Sequence, residues 1–281
     1  MNEKIIKLAL LGKTNAGKST LLNTLVGEKI SIENKKINTT QESIIGIKNI
    51  KNLQIIFFDT PGTNFLKTSN ILQKKLKTNI WQSINDVDQL IYLVDVIKYK
   101  FSEVKKDILK IAEIHKPIIL IFNKIDQIEN KYILYYIEEL RKINFIKDFF
   151  LISAKFDKGI DTLIKYIARE SKEGSWLYKN DEITNKDDIY ITNECTRNAI
   201  LKYLHKEIPY NIIIKNLAYK HINKKELKIK QLIELNNERY KGIILGKNGQ
   251  TIKRIREKSQ IEINQILDCK IHLYLQVVVK K

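Results

Sequence analysis

The chain is poor in cysteine and has no long apolar run. Its 281 residues include only two cysteines, Cys195 and Cys269, which lie far apart and have no metal-ligand residues beside them. We therefore expect reduced thiols rather than a disulfide or a metal site. The apolar run 117–122 is only as long as a buried strand, whereas a membrane span needs about 18 residues. The N-terminus leads directly into a strand, so no signal peptide is predicted. These absences favour a soluble, cytoplasmic protein.

Histidine is also scarce, and none of the four histidines has a carboxylate or cysteine partner at catalytic spacing. They are His115, His205, His221 and His272. We interpret all four as structural residues rather than catalytic ones.

Acidic residues are few beside the basic ones. The chain has 50 Lys and Arg against 32 Asp and Glu, which gives a formal net charge of +18. Its richness in Ile, Lys and Asn is typical of an AT-rich genome, so part of the lysine excess is simply solvated surface. The distribution is more informative, because residues 195–281 have 19 basic against 7 acidic residues. We therefore expect a nucleic-acid partner for the last third of the chain.

Short apolar strands alternate with longer amphipathic stretches up to about residue 170. This alternation predicts an α/β domain with a mostly parallel sheet and helices on both faces. We expect strands at 5–11, 43–47, 53–59, 89–95, 118–123 and 149–153. We expect helices at 19–26, 69–84, 102–114, 131–142 and 160–169. In such a sheet, ligands bind at the carboxyl ends of the strands.

The pattern changes after residue 170. Residues 171–194 contain acidic pairs at 181–182 and 187–188 and are predicted to form a linker. Beyond it we expect a helix at 193–205, strands at 211–219 and 226–235, a turn, a helix at 251–265 and a strand at 270–279. Residues 195–281 are thus predicted to form a small α+β domain.

A phosphate-binding loop is predicted between the first strand and the first helix. Its motif, G-x-x-x-x-G-K-S, consists of Gly12, Lys13, Thr14, Asn15, Ala16, Gly17, Lys18 and Ser19. The glycines let backbone N–H groups converge on phosphate oxygens, and the helix adds its positive end. Lys18 can reach the β- and γ-phosphates, and the Ser19 hydroxyl can take a Mg²⁺ position. The strand before the loop and the helix after it disfavour a chance glycine-rich turn.

A second motif ends the strand predicted at 53–59 and consists of Asp59, Thr60, Pro61 and Gly62. Asp59 can hold Mg²⁺ through water, and Gly62 can offer its N–H to a γ-phosphate. By itself, this motif is as typical of a surface turn as of a nucleotide site. Its place downstream of the phosphate-binding loop favours the nucleotide site. Between the two motifs, either Thr39 or Thr40 can coordinate Mg²⁺ and respond to the γ-phosphate. Spacing does not decide between them, and we favour Thr40.

The ends of two further strands are expected to choose the base. One carries Asn123, Lys124, Ile125 and Asp126, and the other carries Ser153, Ala154 and Lys155. The Asp126 carboxylate can accept two hydrogen bonds from guanine, which adenine does not offer at that edge. Asn123 can brace the loop, the stem of Lys124 can cover the purine face, and the Ala154 N–H can meet guanine O6. The alternative, a plain strand-end turn, is disfavoured by the order of the motifs.

The basic third of the chain contains a G-x-x-G loop, Gly246, Lys247, Asn248 and Gly249, followed by a helix that carries Lys253, Arg254 and Arg256. Such a loop lets the backbone approach a nucleic-acid strand closely. A lone G-x-x-G is weak, but its place between an α-β-β pattern and a closing strand favours a KH module, which clamps about four nucleotides of single strand. The nearby lysines are interpreted either as a further basic surface or as a solvated face: Lys224, Lys225, Lys228 and Lys230.

Taken in order, these motifs resemble a translation-factor-class GTPase of the Era/TrmE-like group, and with the KH-like end the whole chain resembles the Era family. The resemblance implies a P-loop GTPase domain over 1–170, a linker over 171–194 and a type II KH domain over 195–281. It implies binding of GTP and GDP, slow hydrolysis of GTP with Mg²⁺, and binding of the 3′ end of 16S ribosomal RNA in rRNA processing and 30S subunit assembly. It also implies a monomer and, as in some members, peripheral contact with the cell membrane. The candidate catalytic residues are Lys18, Thr40, Asp59 and Gly62.

Two residues change the expected catalysis. Thr63 follows Gly62 where Ras-like proteins carry a water-orienting glutamine. Asn15 stands at the loop position that this group associates with a K⁺ ion near the phosphates, so the resemblance implies potassium-stimulated hydrolysis. The alternative role for Asn15 is to stabilise the turn.

The chain also departs from the family pattern at Gln41, where arginine is usual, and in ending at Lys281, soon after the last strand.

Other functions fit parts of the pattern. An ATP-dependent metabolic kinase is disfavoured by residues 123–126 and by the lack of an acceptor-site carboxylate or arginine cluster. A tRNA-modification GTPase of the same clan lacks a C-terminal G-x-x-G module, but another RNA-linked GTPase of that clan is the alternative to the Era function. A non-enzymatic RNA scaffold that binds GDP passively is a further alternative. It would differ from a GTPase in showing no turnover of GTP.

Overall fold

The computed structural model describes residues 2–31, 44–60, 86–98, 100–129, 131–204 and 212–280. These fall into two compact units, Met1–Asn185 and Lys186–Lys281, each with its own sheet and apolar core. The predicted helix at 69–84 lies outside the described residues. So do four candidate site residues: Thr39, Thr40, Pro61 and Gly62.

The first unit is built on a seven-stranded sheet. Its strands are β1 (Lys4–Gly12), β2 (Ile44–Ile50), β3 (Leu53–Asp59), β4 (Gln89–Asp95), β5 (Ile118–Asn123), β6 (Ile146–Ile152) and β7 (Lys172–Glu173). Every residue of β4 and β5 is buried. These strands are therefore covered on both faces, which is why their sequences are nearly continuous apolar runs without polar alternation.

Four helices of this unit lie within the described residues. They are α1 (Lys18–Val26), α2 (Phe101–Ala112), α3 (Lys131–Leu140) and α4 (Ile160–Glu170). Helices α2 and α3 place apolar residues at helical spacing, such as Val104, Ile108 and Ile111 on α2, in the core that also contains β4 and β5. The opposite face of α2 is mostly charged, whereas that of α3 exposes Leu134 and Tyr135 beside its charged residues.

The strand order is β2-β3-β1-β4-β5-β6. The strands from β3 to β6 along this order are parallel, whereas β2 runs antiparallel to β3 at the edge and β7 pairs antiparallel with the start of β1. In this register Leu10 lies opposite Asp59, and Asp95 lies opposite Asn123. The predicted motifs that are described therefore follow strands whose carboxyl ends meet at one edge of the sheet.

Residues 172–185 form an extended segment along the first unit, which we call the strap. The side chain of Gln54 on β3 is fully buried and holds it. Gln54 Oε1 accepts hydrogen bonds from the N–H groups of Leu177 (2.9 Å) and Tyr178 (3.1 Å), and its Nε2 donates to the carbonyl oxygen of Tyr178 (2.9 Å). The N–H of Ile47 on β2 donates to the carbonyl oxygen of Ile183 (2.9 Å). The division between the units follows Asn185, inside the stretch predicted as a linker.

The second unit packs three helices on one face of a three-stranded sheet. Its elements are α5 (Asp188–Tyr203), β8 (Ile213–Asn223), β9 (Glu226–Leu235), α6 (Glu238–Leu245), α7 (Gln250–Leu267) and β10 (Lys270–Val279). The sheet order is β10-β9-β8, with β9 parallel to β10 and antiparallel to β8. The core joins Ala199, Ile233, Ile244 and Ile255 from four of these elements.

Two boundaries in this unit correct the sequence prediction. The expected turn before the G-x-x-G loop is wrong, because residues 238–245 form helix α6, capped by Asn237 Oδ1, which accepts from the Arg239 N–H (2.9 Å). Helix α5 begins at Asp188 rather than near residue 193, capped by Asp187 Oδ1, which accepts from the Tyr190 N–H (2.7 Å). Both helices start at an Asn or Asp cap, which the pattern of apolar residues alone does not reveal.

None of the helices in the described residues is both long enough and apolar enough to cross a membrane.

Candidate nucleotide site and nucleic-acid interface

The loop between β1 and α1 has a backbone that glycine alone adopts readily at two positions. Gly12 has a φ of 147° and Gly17 a φ of 99°. A Cβ on Gly12 would lie 2.6 Å from the carbonyl oxygen of Leu93, and one on Gly17 would lie 2.3 Å from Asn123 Nδ2. Helix α1 begins directly afterwards, at Lys18. The loop therefore adjoins the free N–H groups of a helix N-terminus, an arrangement that binds anions.

Lys18 and Asp59 place two opposite charges in the interior beside this loop. The Lys18 ammonium group donates to the carbonyl oxygens of Gly12 (3.0 Å) and Lys13 (3.2 Å). Burial lowers the pKa of Lys18 and raises the pKa of Asp59, and in each case the charge of the other residue opposes the shift. Because the ammonium group is desolvated, an anion in the loop would be strongly attracted to it.

The surroundings of Asp59 fit a Mg²⁺ ion. The hydroxyl groups of Ser19 and Ser31 each donate to Asp59 Oδ2 at 3.3 Å. Asp59 Oδ1 is buried and has no hydrogen-bond partner in the described part of the chain. A carboxylate and hydroxyl oxygens are ligands that Mg²⁺ prefers, and the remaining positions are usually taken by water and substrate phosphates. Thr60 secures the end of β3, since its hydroxyl donates to the carbonyl oxygen of Leu10 (2.7 Å).

Asn123 joins the phosphate-binding loop to the segment after β6. Its Nδ2 donates to the carbonyl oxygen of Ala16 (2.9 Å), and its Oδ1 accepts from the Ala154 N–H (3.0 Å). The residue is 2% exposed, so both bonds are shielded from water. The bracing role predicted for Asn123 thus has a direct counterpart in these two bonds.

Lys124 is tied to the phosphate-binding loop. Its ammonium group donates to the carbonyl oxygen of Asn15 (3.0 Å) and forms an ion pair with the buried carboxylate of Asp95. Asp95 is not among the site residues predicted from the sequence. Its position at the carboxyl end of β4, beside β5, is the signal that could have found it.

Asp126 presents an ionised carboxylate at the surface of this edge. Its Oδ1 accepts a hydrogen bond from Ser153 Oγ (2.6 Å), and this bond is the main reason that the pKa of Asp126 lies below its ordinary value. Asp126 lies in the short 3₁₀ turn Ile125–Gln127, in which Ile125 is buried as an anchor. Lys155 lies in a second such turn, Ala154–Phe156, and its charge also lowers the pKa of Asp126.

Three loop residues complete the predicted set. Asn15 has a φ of 67°, and its Oδ1 is buried without a hydrogen-bond partner in the described ranges. Lys13 forms ion pairs with Glu103 (2.9 Å) and Asp107 (3.5 Å) of α2. Thr14 is partly exposed beside it. The described members of the four nucleotide motifs are thus gathered at one edge of the sheet.

The G-x-x-G loop of the second unit has an unusual backbone. Gly246 has a φ of 70° and a ψ of 176°, a combination that essentially only glycine adopts. Asn248 and Gly249 also have positive φ, and α7 begins at Gln250. Lys247 and Asn248 are exposed at the loop tip. The first turns of α7 expose three further cations: Lys253, Arg254 and Arg256. The loop and its helix therefore present backbone and positive charge together.

Comparisons with known proteins identify the family. A family model described as 50S ribosome-binding GTPase matches residues 7–124, and a KH domain model matches residues 204–281. GTPase Era of Rickettsia typhi is 38% identical over 279 residues, which cover 99% of this chain and 93% of the relative. GTPase Era of Ehrlichia canis is 36% identical over 281 residues, which cover 100% of this chain and 94% of the relative. The chain belongs to the Era family of GTPases.

Two solved Era structures are similar over the same extent. One is Era in complex with MgGDPNP and nucleotides 1506–1542 of 16S ribosomal RNA, with a TM-score of 0.87 and 34% identity over 99% of this chain and 94% of that one. The other is an Aquifex aeolicus Era variant bound to GDP·AlF4⁻, with a TM-score of 0.89 and the same identity and coverage. The predicted fold class, a P-loop GTPase domain followed by a KH domain, is confirmed.

Proposed function

We propose that this Era-family GTPase binds GTP and GDP at the edge formed by β1, β3, β5 and β6, hydrolyses GTP there, and binds the 3′ end of 16S rRNA through its KH domain. The observation that carries the nucleotide part is the Asp126 carboxylate, held by Ser153 beside a segment that Asn123 links to the phosphate-binding loop. Competition between GTP and ATP for binding tests this choice of base. Equal displacement by ATP would contradict it.

Most of the residues predicted from the nucleotide motifs have a role in this proposal. The backbone of residues 12–17 and the N-terminus of α1 hold the phosphates, and Lys18 neutralises them. Ser19 and Asp59 would hold Mg²⁺, and Thr40 would complete that site. When bound, Mg²⁺ stabilises the charge that develops on the phosphate oxygens during attack by water. The N–H groups of Gly62 and Ala154 complete the contacts to the γ-phosphate and to guanine.

Asn15 supports a role for K⁺ in hydrolysis. Its buried Oδ1 has no hydrogen-bond partner in the described residues, so it is an oxygen suited to a monovalent cation. Thr63 lacks the carboxamide with which a glutamine orients water in other GTPases. We expect faster GTP turnover in K⁺ than in Na⁺, and loss of that difference in Asn15→Asp. Equal wild-type rates in the two salts would exclude potassium activation.

The nucleotide cycle is proposed to regulate RNA binding, with a role in rRNA processing and 30S subunit assembly. A relative binds both MgGDPNP and a 16S rRNA fragment, which supports coupling of the two sites. The test compares the affinity of the full chain for a 16S 3′-terminal RNA with GDP and with a non-hydrolysable GTP analogue. Equal affinities would remove the coupling and leave both binding functions standing.

We further propose that the protein acts as a monomer with reversible peripheral contact to the cytoplasmic face of the cell membrane. The excess of basic residues is compatible with an anionic surface. Analytical ultracentrifugation and co-flotation with anionic vesicles test these two statements separately.

A further inference from the structure

The three-stranded sheet of the second unit has one face covered by helices and one face turned away from them. On β9 the buried residues Leu227, Ile229 and Ile233 alternate with Lys228 and Lys230. Since successive side chains of a strand point to opposite faces, both lysines lie on the uncovered face. The pairing places Lys220 of β8 opposite Lys228, and Tyr274 of β10 opposite Lys230, on that same face. We call these four residues the lysine face: Lys220, Lys228, Lys230 and Tyr274.

The pairing of Lys220 with Lys228 is unfavourable for folding. Two like charges directly opposite each other on antiparallel strands destabilise a sheet. Among the described residues, no carboxylate forms an ion pair with Lys220, Lys228 or Lys230. A sheet that retains such a pair without a counter-charge has a surface suited to a polyanion.

The acidic residues of this face are already engaged at its two ends. Glu226 accepts from Lys270 (3.2 Å) and contacts His272 (2.9 Å), and Glu234 accepts from Lys215 (2.6 Å). These contacts hold the pKa of both glutamates below the ordinary value. The centre of the face therefore keeps its positive charge, and the two glutamates bound it.

The spacing and the aromatic ring indicate which polyanion fits. Lys228 and Lys230 are two residues apart on one strand, about 6.6 Å, which is similar to the distance between successive phosphates of an extended nucleic-acid strand. Tyr274 lies on the edge strand β10, opposite Lys230, and is 50% exposed. The Lys228 ammonium group lies 5.5 Å from the centre of the Tyr274 ring. An exposed ring flanked by cations can stack on a base, a contact that lipid headgroups do not offer.

We propose that the lysine face is a second RNA-binding surface of this domain, which contacts the sugar–phosphate backbone of RNA beyond the nucleotides held at the G-x-x-G loop. The proposal rests on the RNA-binding function proposed above. Because the helices that carry the loop cover the opposite side of the sheet, the lysine face engages a different stretch of the same RNA. It contributes salt-dependent affinity and little sequence preference.

The test uses the full chain with Lys220→Gln and Lys228→Gln combined. The matched control combines Lys106→Gln with Lys110→Gln, which removes the same charge from the exposed side of α2 in the first unit. Two RNA probes are titrated over a range of salt concentrations. One is the 16S fragment 1506–1542, and the other is a single-stranded piece of its 3′ end, about eight nucleotides, or twice what a KH loop clamps.

We expect the lysine-face variant to bind the long RNA about three- to tenfold more weakly, with a salt slope smaller by about 1.4, since each lost phosphate contact on single-stranded RNA removes about 0.7. Its affinity for the short RNA should not fall, because that RNA is held at the unchanged G-x-x-G loop. Its thermal stability should not fall either, because the substitutions remove a pair of like charges. The control should match the wild type on both probes.

Three results would overturn the proposal. Wild-type affinity of the variant for the long RNA, together with unchanged flotation on phosphatidylglycerol vesicles, would show that the face is only solvated. An equal loss in the control would show a general effect of net charge. A variant that keeps RNA affinity but no longer floats with phosphatidylglycerol vesicles would assign the face to the membrane. If the wild type binds neither RNA, the RNA-binding function proposed above is wrong, and the lysine-face proposal is wrong as well. That result is seen with the wild type alone, before any variant is compared.

Discussion

At the scale of single residues, several side chains of the site form hydrogen bonds within the protein that fix the neighbouring loops. Asn123 bonds to Ala16 and Ala154 from a position that is 2% exposed. Lys124 bonds to Asn15 and Asp95. Removing either partner of such a buried bond leaves the other unpaired, which costs about 1–3 kcal/mol. Asn123 and Lys124 therefore fix the positions of the loops that carry Asp126 and Lys18.

The hydrogen bond from Ser153 gives a pH prediction. It lowers the pKa of Asp126, so the carboxylate is present at neutral pH and is lost only as the pH falls through that lowered value. Ser153→Ala removes the largest cause of the shift and should raise the pKa. The acid limb of GDP binding should then move to higher pH.

The measurement is the GDP dissociation constant against pH, with circular dichroism recorded at each point to follow folding. Ser171→Ala is the control, because within the described residues Ser171 Oγ donates to the carbonyl oxygen of Ala168 at the end of α4, far along the chain from Asp126. An acid limb at the same pH in Ser153→Ala and the wild type would contradict the assignment.

At the scale of elements, the G-x-x-G loop and the helix before it contain two glycines of opposite character. Gly246 has a backbone conformation closed to other residues, and a Cβ there would lie 2.1 Å from Thr251 Oγ1. Gly242 lies inside α6, and a Cβ there would meet nothing within 4 Å. Gly246→Ala should destabilise the second unit by about 1–3 kcal/mol and weaken RNA binding. Gly242→Ala should stabilise it by about 0.5–1 kcal/mol.

Thermal unfolding and RNA titration of the two alanine variants provide the check. If Gly246→Ala were as stable as Gly242→Ala, the conformation assigned to the loop would be incorrect.

The strap gives a second prediction at this scale. Gln54 holds three backbone groups of residues 177–178 from a fully buried position on β3. Gln54→Leu leaves those groups without partners, so we expect a loss of about 1–3 kcal/mol in stability and faster proteolysis within residues 172–185. The exposed Gln276→Ala is the control. Unchanged cleavage of the strap in Gln54→Leu would show that its other contacts, among them the pairing of β7 with β1 and the bond between Ile47 and Ile183, are enough to retain it.

At the scale of the whole molecule, the two units divide the charge unequally, and this predicts unequal salt dependence. The last third of the chain carries 19 basic and 7 acidic residues. Binding of RNA releases counterions in proportion to the phosphates contacted, whereas the proposed GDP site is a loop of buried groups and N–H donors. Raising salt from about 50 to 200 mM should weaken RNA binding by tenfold or more and GDP binding by much less. Parallel titrations test this, and an equal salt dependence would contradict it.

Local sequence patterns were sufficient for much of this protein. The apolar runs of β3, β4 and β5 coincide with their predicted bounds, because strands buried on both faces need uninterrupted apolar residues. Fixed spacing within a motif also sufficed to locate the loops Gly12–Ser19 and Gly246–Gly249, since their glycines set the local backbone. Helix α6 was missed because its start depends on the cap at Asn237 and its packing on Ile244, neither of which an apolar pattern displays.

The tertiary structure alone decided the pairings between distant segments. The contact of Lys124 with Asp95, the hold of Gln54 on the strap and the opposition of Lys220 and Lys228 all depend on strand order and register. The sequence by itself determined which segments are strands, which loops can approach phosphates, and where positive charge concentrates. Which of those charges face each other follows from hydrogen bonding between strands, because a shift of one residue would turn every side chain to the other face.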